Sequence, residues 1–350
     1  MPNLHTTSYR YALALSLALV ACQRAPAPQA DGADDARADA IADSSDSTPA
    51  DAGLDAPVEA TIDQRPDVAA CPRGWHVVPS PFDRDLRDVF VEAGTVYVVG
   101  DAGVVAYHRA GAWHPYLLAK GFSYQGIYVR STGSRILTVG WRFAVEFEGS
   151  GWKTNQLDST GTLYAAWLDP SGTALAAGGN GLRTLLYRRS GPDWSEVKLP
   201  SELGLGRTFV AIASDSQGPV LLARAESAAT SMVVRYASGP DALLVTRHDL
   251  RGIGAHSDHL IVVGDDAALR YDGQRWHETP PPTGSRLRGV WLANTHRGYA
   301  VGMAGLILRL DGASWQREQA PVSVDLLAVH GEGSQIYAVG ATGTVLRKCE

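Results

Sequence analysis

A phrase of about forty residues recurs along the chain: an apolar run, a second run ending in Val-Gly, a third, then Gly-x-x-Trp and a polar run. Its clearest copies are LRDVFVEAGTVYVVGDAGVVAYHRAGAW from Leu86, LRGVWLANTHRGYAVGMAGLILRLDGASW from Leu287 and LLAVHGEGSQIYAVGATGTVLRKC from Leu326. Val, Ile, Leu and Tyr in VYVVG, LIVVG, GYAVG and IYAVG suit strands covered on both faces. Four short strands per unit at this period are the signature of a β-propeller blade.

Landmarks give the number of blades. The residue closing the second run falls at Gly100, Gly140, Gly178, Ala223, Gly264, Gly302 and Gly340. First strands begin near Leu86, Tyr124, Leu163, Phe209, Leu250, Leu287 and Leu326. Tryptophans open the fourth strand at Trp75, Trp113, Trp152, Trp194, Trp276 and Trp315, and the fourth repeat lacks one near Leu244. Seven repeats follow, the fourth degenerate. The Gly-x-x-Gly of Gly100–Gly103 and Gly340–Gly343 is expected to make a tight hairpin through positive φ. Asp272-Gly273 and Asp311-Gly312 mark the turn before the outer strand, and each tryptophan is expected to anchor that strand to the adjoining one.

The last repeat stops at Lys348-Cys349-Glu350, before any Gly-x-x-Trp, and the missing piece stands at the other end as Cys71-Pro72-Arg73-Gly74-Trp75. Trp75 then corresponds to Trp315, and Cys71 and Cys349 both fall near the position of Asp311. The expectation is an all-β, seven-bladed β-propeller over residues 71–350. Its final blade is completed by the N-terminal strand and closed by a Cys71–Cys349 disulfide, permitted in an oxidising compartment. A β-sandwich or solenoid would gain nothing from such sharing.

Residues 1–21 read as an export signal, with Arg10 ahead of the apolar run YALALSLALVA, which is too short to span a bilayer. Residues 23–70 carry eleven acidic side chains against Arg24, Arg37 and Arg65, and no aromatic residue. Such a stretch buries too little apolar surface to offset chain entropy, so 22–70 is expected to be a disordered acidic tether. Net charge is −6 overall, so the remainder is near neutral and offers no electrostatic footprint for nucleic acid.

Leu19-Val20-Ala21-Cys22 resembles the bacterial lipobox, which implies acylation of Cys22, a membrane anchor, and with Gln23 following, sorting to the bacterial outer membrane, facing the periplasm or the cell surface. The repeats resemble the BNR-like (neuraminidase-repeat) propellers of bacteria, including photosystem-assembly-type propellers and exported lipoproteins, most clearly at GVWLANTHRGYAVGMAGLILRLDGASW from Gly289. The sialidase branch usually carries an Asp-box, Ser-x-Asp-x-Gly-x-Thr-Trp. Here only Ser214-Asp215-Ser216-Gln217-Gly218 is superficially similar, and it falls between first and second strands.

In propellers the turns between second and third strands share a face with the blade-to-blade links. That face is expected to receive Asp101, Asn180, Asp265, Asp266 and Met303 from hairpins, and Arg84, Asp85, Arg207, Arg247, His248, Arg286 and Asp325 from links. Arg87, Arg251 and Arg288 each follow the leucine opening an inner strand, and three arginines at one repeat position are candidates for receiving a carboxylate or sulfate at the channel mouth. Arg235, Arg270, Arg309 and Arg347 form a second series with an expected framework role. His256 and His259 sit on the opposite face with no third ligand, so no metal is expected, nor any other cofactor. No P-loop, Rossmann fingerprint or Ser/His/Asp order is present. The expected function is noncatalytic binding of protein or glycan at the cell envelope by a monomer. The alternative is a glycoside- or lactone-acting hydrolase at the central mouth.

Overall fold

The computed structural model describes residues 73–349 apart from 117, 119–121, 131–132, 205, 228 and 238. The expected signal segment, Cys22, the expected tether and Cys71 lie outside the described residues. Those described belong to the compact unit Arg65–Glu350.

Seven four-stranded antiparallel sheets make seven blades. Blades 1 to 7 open on the inner strands Leu86–Glu92, Tyr124–Arg130, Thr162–Leu168, Arg207–Asp215, Leu250–His256, Leu287–Leu292 and Leu326–Glu332. Each inner strand packs on the next, and the seventh returns to the first, so the blades close a ring. Second strands such as Thr95–Gly100 and Ala174–Gly179 are buried throughout, because both faces meet a neighbouring blade. Six of the seven blades run from inside to outside in sequence order. The seventh takes its outermost strand from Gly74–Val77, which pairs antiparallel with Val345–Cys349.

The expected landmarks are register partners. Leu86 faces Gly100, Tyr124 faces Gly140, Leu163 faces Gly178, Leu250 faces Gly264, Leu287 faces Gly302 and Leu326 faces Gly340, each followed by a β-bulge. In the degenerate fourth blade Phe209 faces Ala223 in the same way. Positive φ holds as expected for the second glycine of each Gly-x-x-Gly, Gly103 and Gly343, but the reason for the first glycine is different. Gly100, Gly302 and Gly340 are extended, not left-handed. A Cβ there would collide with the carbonyl oxygens of Asp85, Arg286 and Asp325 in the entering chain. Positive φ is confined to the last two residues of the hairpin, Ala102–Gly103 and Thr342–Gly343.

The tryptophans also act over a longer range than expected, each reaching the preceding blade. The Trp315 indole N–H donates to Thr279 O at 2.9 Å, Trp276 to Leu243 O at 3.1 Å and Trp194 to Glu146 Oε1 at 2.8 Å. Trp75 donates to Glu318 Oε2 at 2.8 Å and meets Tyr299 edge-on at 5.6 Å, which ties the shared blade to blade 6. Trp75 pairs with Lys348 as Trp315 pairs with Leu310, so the sequence alignment of the split blade holds.

Candidate functional site

Links and hairpins share one face, as backbone hydrogen bonds demonstrate. Asp101 N donates to Asp85 O, Met303 N to Arg286 O, Asp265 N to Asp249 O and Ala341 N to Asp325 O, all within 2.8–3.3 Å. The link carboxylates also bind backward: Asp85 Oδ1 accepts from Thr342 N and Asp325 Oδ1 from Ala304 N, so these side chains fasten each link to the blade behind it.

At the centre of the ring is a cavity of about 280 Å³ lined by the inner strands. Its first layer is the position after the strand-opening residue, and it holds Arg87, Gln125, Tyr164, Val210, Arg251, Arg288 and Leu327. The three candidate arginines are therefore brought to one mouth, and each has a carboxylate. Arg87 grips Asp101 in a bidentate pair at 2.6 and 3.1 Å, with Asp85 at 3.4 Å. Arg288 donates to Asp265 Oδ1 at 2.8 Å and lies 3.0 Å from Met303 Sδ. Arg251 reaches Asp249 at 2.8 Å, but Asp249 is already held by Arg224 from the second strand of blade 4.

The pairing sets the ionisation of the mouth. The Arg87 bond holds the Asp101 carboxyl below the usual range. Burial pushes Asp249 up, but Arg224 and Arg251 outweigh it and hold the group low. Burial, followed by the charges of Arg224 and Arg288, pulls Arg251 down, and its Nε is buried without a hydrogen-bond partner among the described residues.

Two titratable groups of the cavity escaped sequence reasoning. Two residues beyond the strand opening, the other six blades carry glycine or alanine, because the next inner strand passes close; a Cβ on Gly126 would stand 2.6 Å from Tyr164 O. Blade 1 carries Asp88 there. Its carboxylate accepts from Val89 N and Ile127 N, both at 2.9 Å, and stitches blades 1 and 2; burial raises its pKa to about 7. On the other side of blade 1, His330 Nδ1 accepts from Val91 N at 3.0 Å, and burial lowers the ring to about 4. His330 is thus neutral at pH 7, protonated on Nε2.

The remaining candidates are scaffold. Arg235 pairs with fully buried Asp215 in the blade 4 segment that superficially resembles an Asp-box. Arg270 donates to Thr295 O at 2.8 Å, and Arg309 to Gln316 at 2.7 Å. His256 and His259 face each other across a hairpin away from the mouth. No group of three metal-ligating side chains occurs among the described residues. Two exposed apolar side chains stand on the mouth face at the hairpins of blades 2 and 3: Trp141, 49% exposed under the Arg142 guanidinium at 4.7 Å, and Leu182, 79% exposed. A run ending in Gly-Trp at 140–141 was the available signal for the first.

Fold and site define a seven-bladed β-propeller with a charge-paired central mouth. No family model matches the chain. It superposes on YCF48 bound to D1 peptide with a TM-score of 0.64 at 17% identity, covering 79% of this chain and 95% of that one. YCF48 from Cyanidioschyzon merolae gives 0.63 at 16%, over 79% and 98%. Virginiamycin B lyase from Staphylococcus aureus gives 0.67 at 15%, over 79% and 99%. In sequence the chain is 30% identical over 112 residues to the immune protein Tsi7 of Pseudomonas aeruginosa, which spans 29% of this chain and 37% of Tsi7.

Proposed function

We propose that this propeller is a noncatalytic binding module of the bacterial cell envelope. Acylated Cys22 and the acidic tether of residues 22–70 display it from the outer membrane, and it takes a protein or glycan on the face around the channel mouth. The observation that carries the reading is the state of the mouth carboxylates. Asp101, Asp249 and Asp265 are each engaged by an arginine, Asp85 by Thr342 N and Arg87, and among the described residues Asp88 is the one carboxylate lining the cavity. Glycoside hydrolysis by the usual route needs two carboxyl groups flanking the scissile bond, and by the sialidase route a tyrosine nucleophile. Balanced Arg–Asp pairs with Trp141 and Leu182 at the rim form instead a surface of mixed polarity suited to recognition. The peptide-bound YCF48 and the immune protein among similar chains favour this reading; the lyase favours an enzymatic alternative at the mouth, though a lyase cleaves without water.

Affinity capture from the native envelope with acylated protein, run beside a glycan array, tests the binding. A partner lost on Trp141→Ala or Arg87→Ala supports it, whereas silence in both assays with turnover of a chromogenic glycoside or lactone favours the alternative. Loss of radiolabelled palmitate from Cys22→Ser tests the anchor. The Cys71–Cys349 disulfide belongs to the same proposal, supported by Gly74 standing opposite Cys349 in register. Mass spectrometry of the unreduced protein is expected to yield one linked peptide pair, and separate Cys71 and Cys349 peptides would remove the bond.

A further inference from the structure

Below the arginines the channel has a second layer. At the fourth position after the strand opening, blades 6, 7, 1, 2 and 3 carry Trp291, His330, Phe90, Tyr128 and Trp167. Blades 4 and 5 carry Ala213 and Gly254. The first four rings form a continuous arc: Trp291 to His330 at 6.2 Å, His330 stacked on Phe90 at 4.3 Å and 22°, and Phe90 to Tyr128 at 4.7 Å. All four are half-buried and line the same cavity as Arg251 and Arg288, so one wall is aromatic and the facing wall is small.

Above this arc the cavity lining itself is rich in arginine: Arg87, Arg251 and Arg288 face it, with Asp88 the one carboxylate among the described lining residues. Arg224 and Arg251 share Asp249, with Glu226 also acting on Arg224, while Arg288 holds Asp265, so Arg251 has no carboxylate to itself. A guanidinium that shares its carboxylate has donors left for a further acceptor, and a ligand carboxylate can take them as a charge-assisted pair. The void matches the volume of on the order of ten water molecules, enough for one ring and its substituent.

We propose that the central channel binds a small organic carboxylate with a flat apolar body, its carboxylate on Arg251 and Arg288 and its ring against the arc of Trp291, His330, Phe90 and Tyr128. An amine is excluded by the arginine surplus, and a neutral alcohol leaves that surplus unpaired. The inference rests on the mouth arginines being a ligand site and needs no envelope partner.

Benzoate is the probe, with benzyl alcohol and benzylammonium beside it, titrated into the full chain by calorimetry. Saturable benzoate binding is expected, at least tenfold tighter than either neutral or cationic analogue. Arg251→Met is expected to weaken it about tenfold or more, and Trp291→Leu similarly. Arg251→Lys keeps the charge but removes the planar guanidinium fork, so an intermediate loss is expected even if the methionine variant folds poorly. The proposal is overturned if benzoate fails to saturate below about 20 mM, if benzyl alcohol binds equally well, or if Arg251→Lys leaves affinity unchanged. Silence of the envelope capture leaves this titration untouched, so the two readings fail separately.

Discussion

Asp88 and His330 flank the first inner strand and titrate in opposite senses. Asp88 has a folded pKa raised to about 7, above that of the unfolded chain, so its stabilising contribution is fully present below about pH 4. It is lost as pH rises through 7. His330 is depressed to about 4, so its contribution is complete above about pH 6.5 and is lost as pH falls through 4. The difference in urea midpoint between wild type and Asp88→Asn is therefore expected to change between pH 4 and 7 and to be flat above 8. His330→Gln is expected to remove the loss between pH 6.5 and 4. At this scale the sequence is partly legible: the arginines after the strand-opening Leu86, Leu250 and Leu287 point to the mouth, because repeat position alone places them. Asp88 is not legible in this way, because in the sequence it is simply a carboxylate next to Arg87. Only the neighbouring strand shows that it serves Ile127 N instead.

Elements are held by two repeated devices. The extended glycine that ends each second strand admits the entering chain, so Gly302→Ala drives a Cβ into the Arg286 carbonyl. Overpacking of this kind typically costs 1–3 kcal/mol, and a loss of about 2 kcal/mol is expected in equilibrium denaturation. The degenerate blade has already accepted this change at Ala223, so Ala223→Gly is expected to shift stability by less than about 1 kcal/mol. The outer-strand tryptophan is the second device. Trp315, 9% exposed and bonded to Thr279 O, joins blade 6 to blade 5, and Trp315→Ala is expected to cost about 3–5 kcal/mol by urea denaturation. Both landmarks are visible in the sequence as period. Their reasons are not, since glycine for close approach and glycine for positive φ look the same in a string of letters.

For the whole molecule, the shared seventh blade makes the ring's stability depend on residues near the start of the described chain. Trp75 fastens Gly74–Val77 to Glu318 and Tyr299, while the same strand pairs with Val345–Cys349. Deleting residues 71–78 would leave Val345–Cys349 as an open edge, a template for pairing with other chains. The truncated protein is expected to lose its single cooperative unfolding transition and to aggregate on heating, as followed by light scattering. By itself the sequence determined the blade number, the strand order and the split of the last blade, because apolar alternation and turn chemistry are local and repeat from blade to blade. Tertiary structure alone decided how the groups at the centre of the ring engage one another. The pairing of Arg251 with an already engaged Asp249, the aromatic arc of blades 6, 7, 1 and 2, and the stitching by Asp88 all join residues from different blades, whose meeting depends on closure rather than on any local pattern.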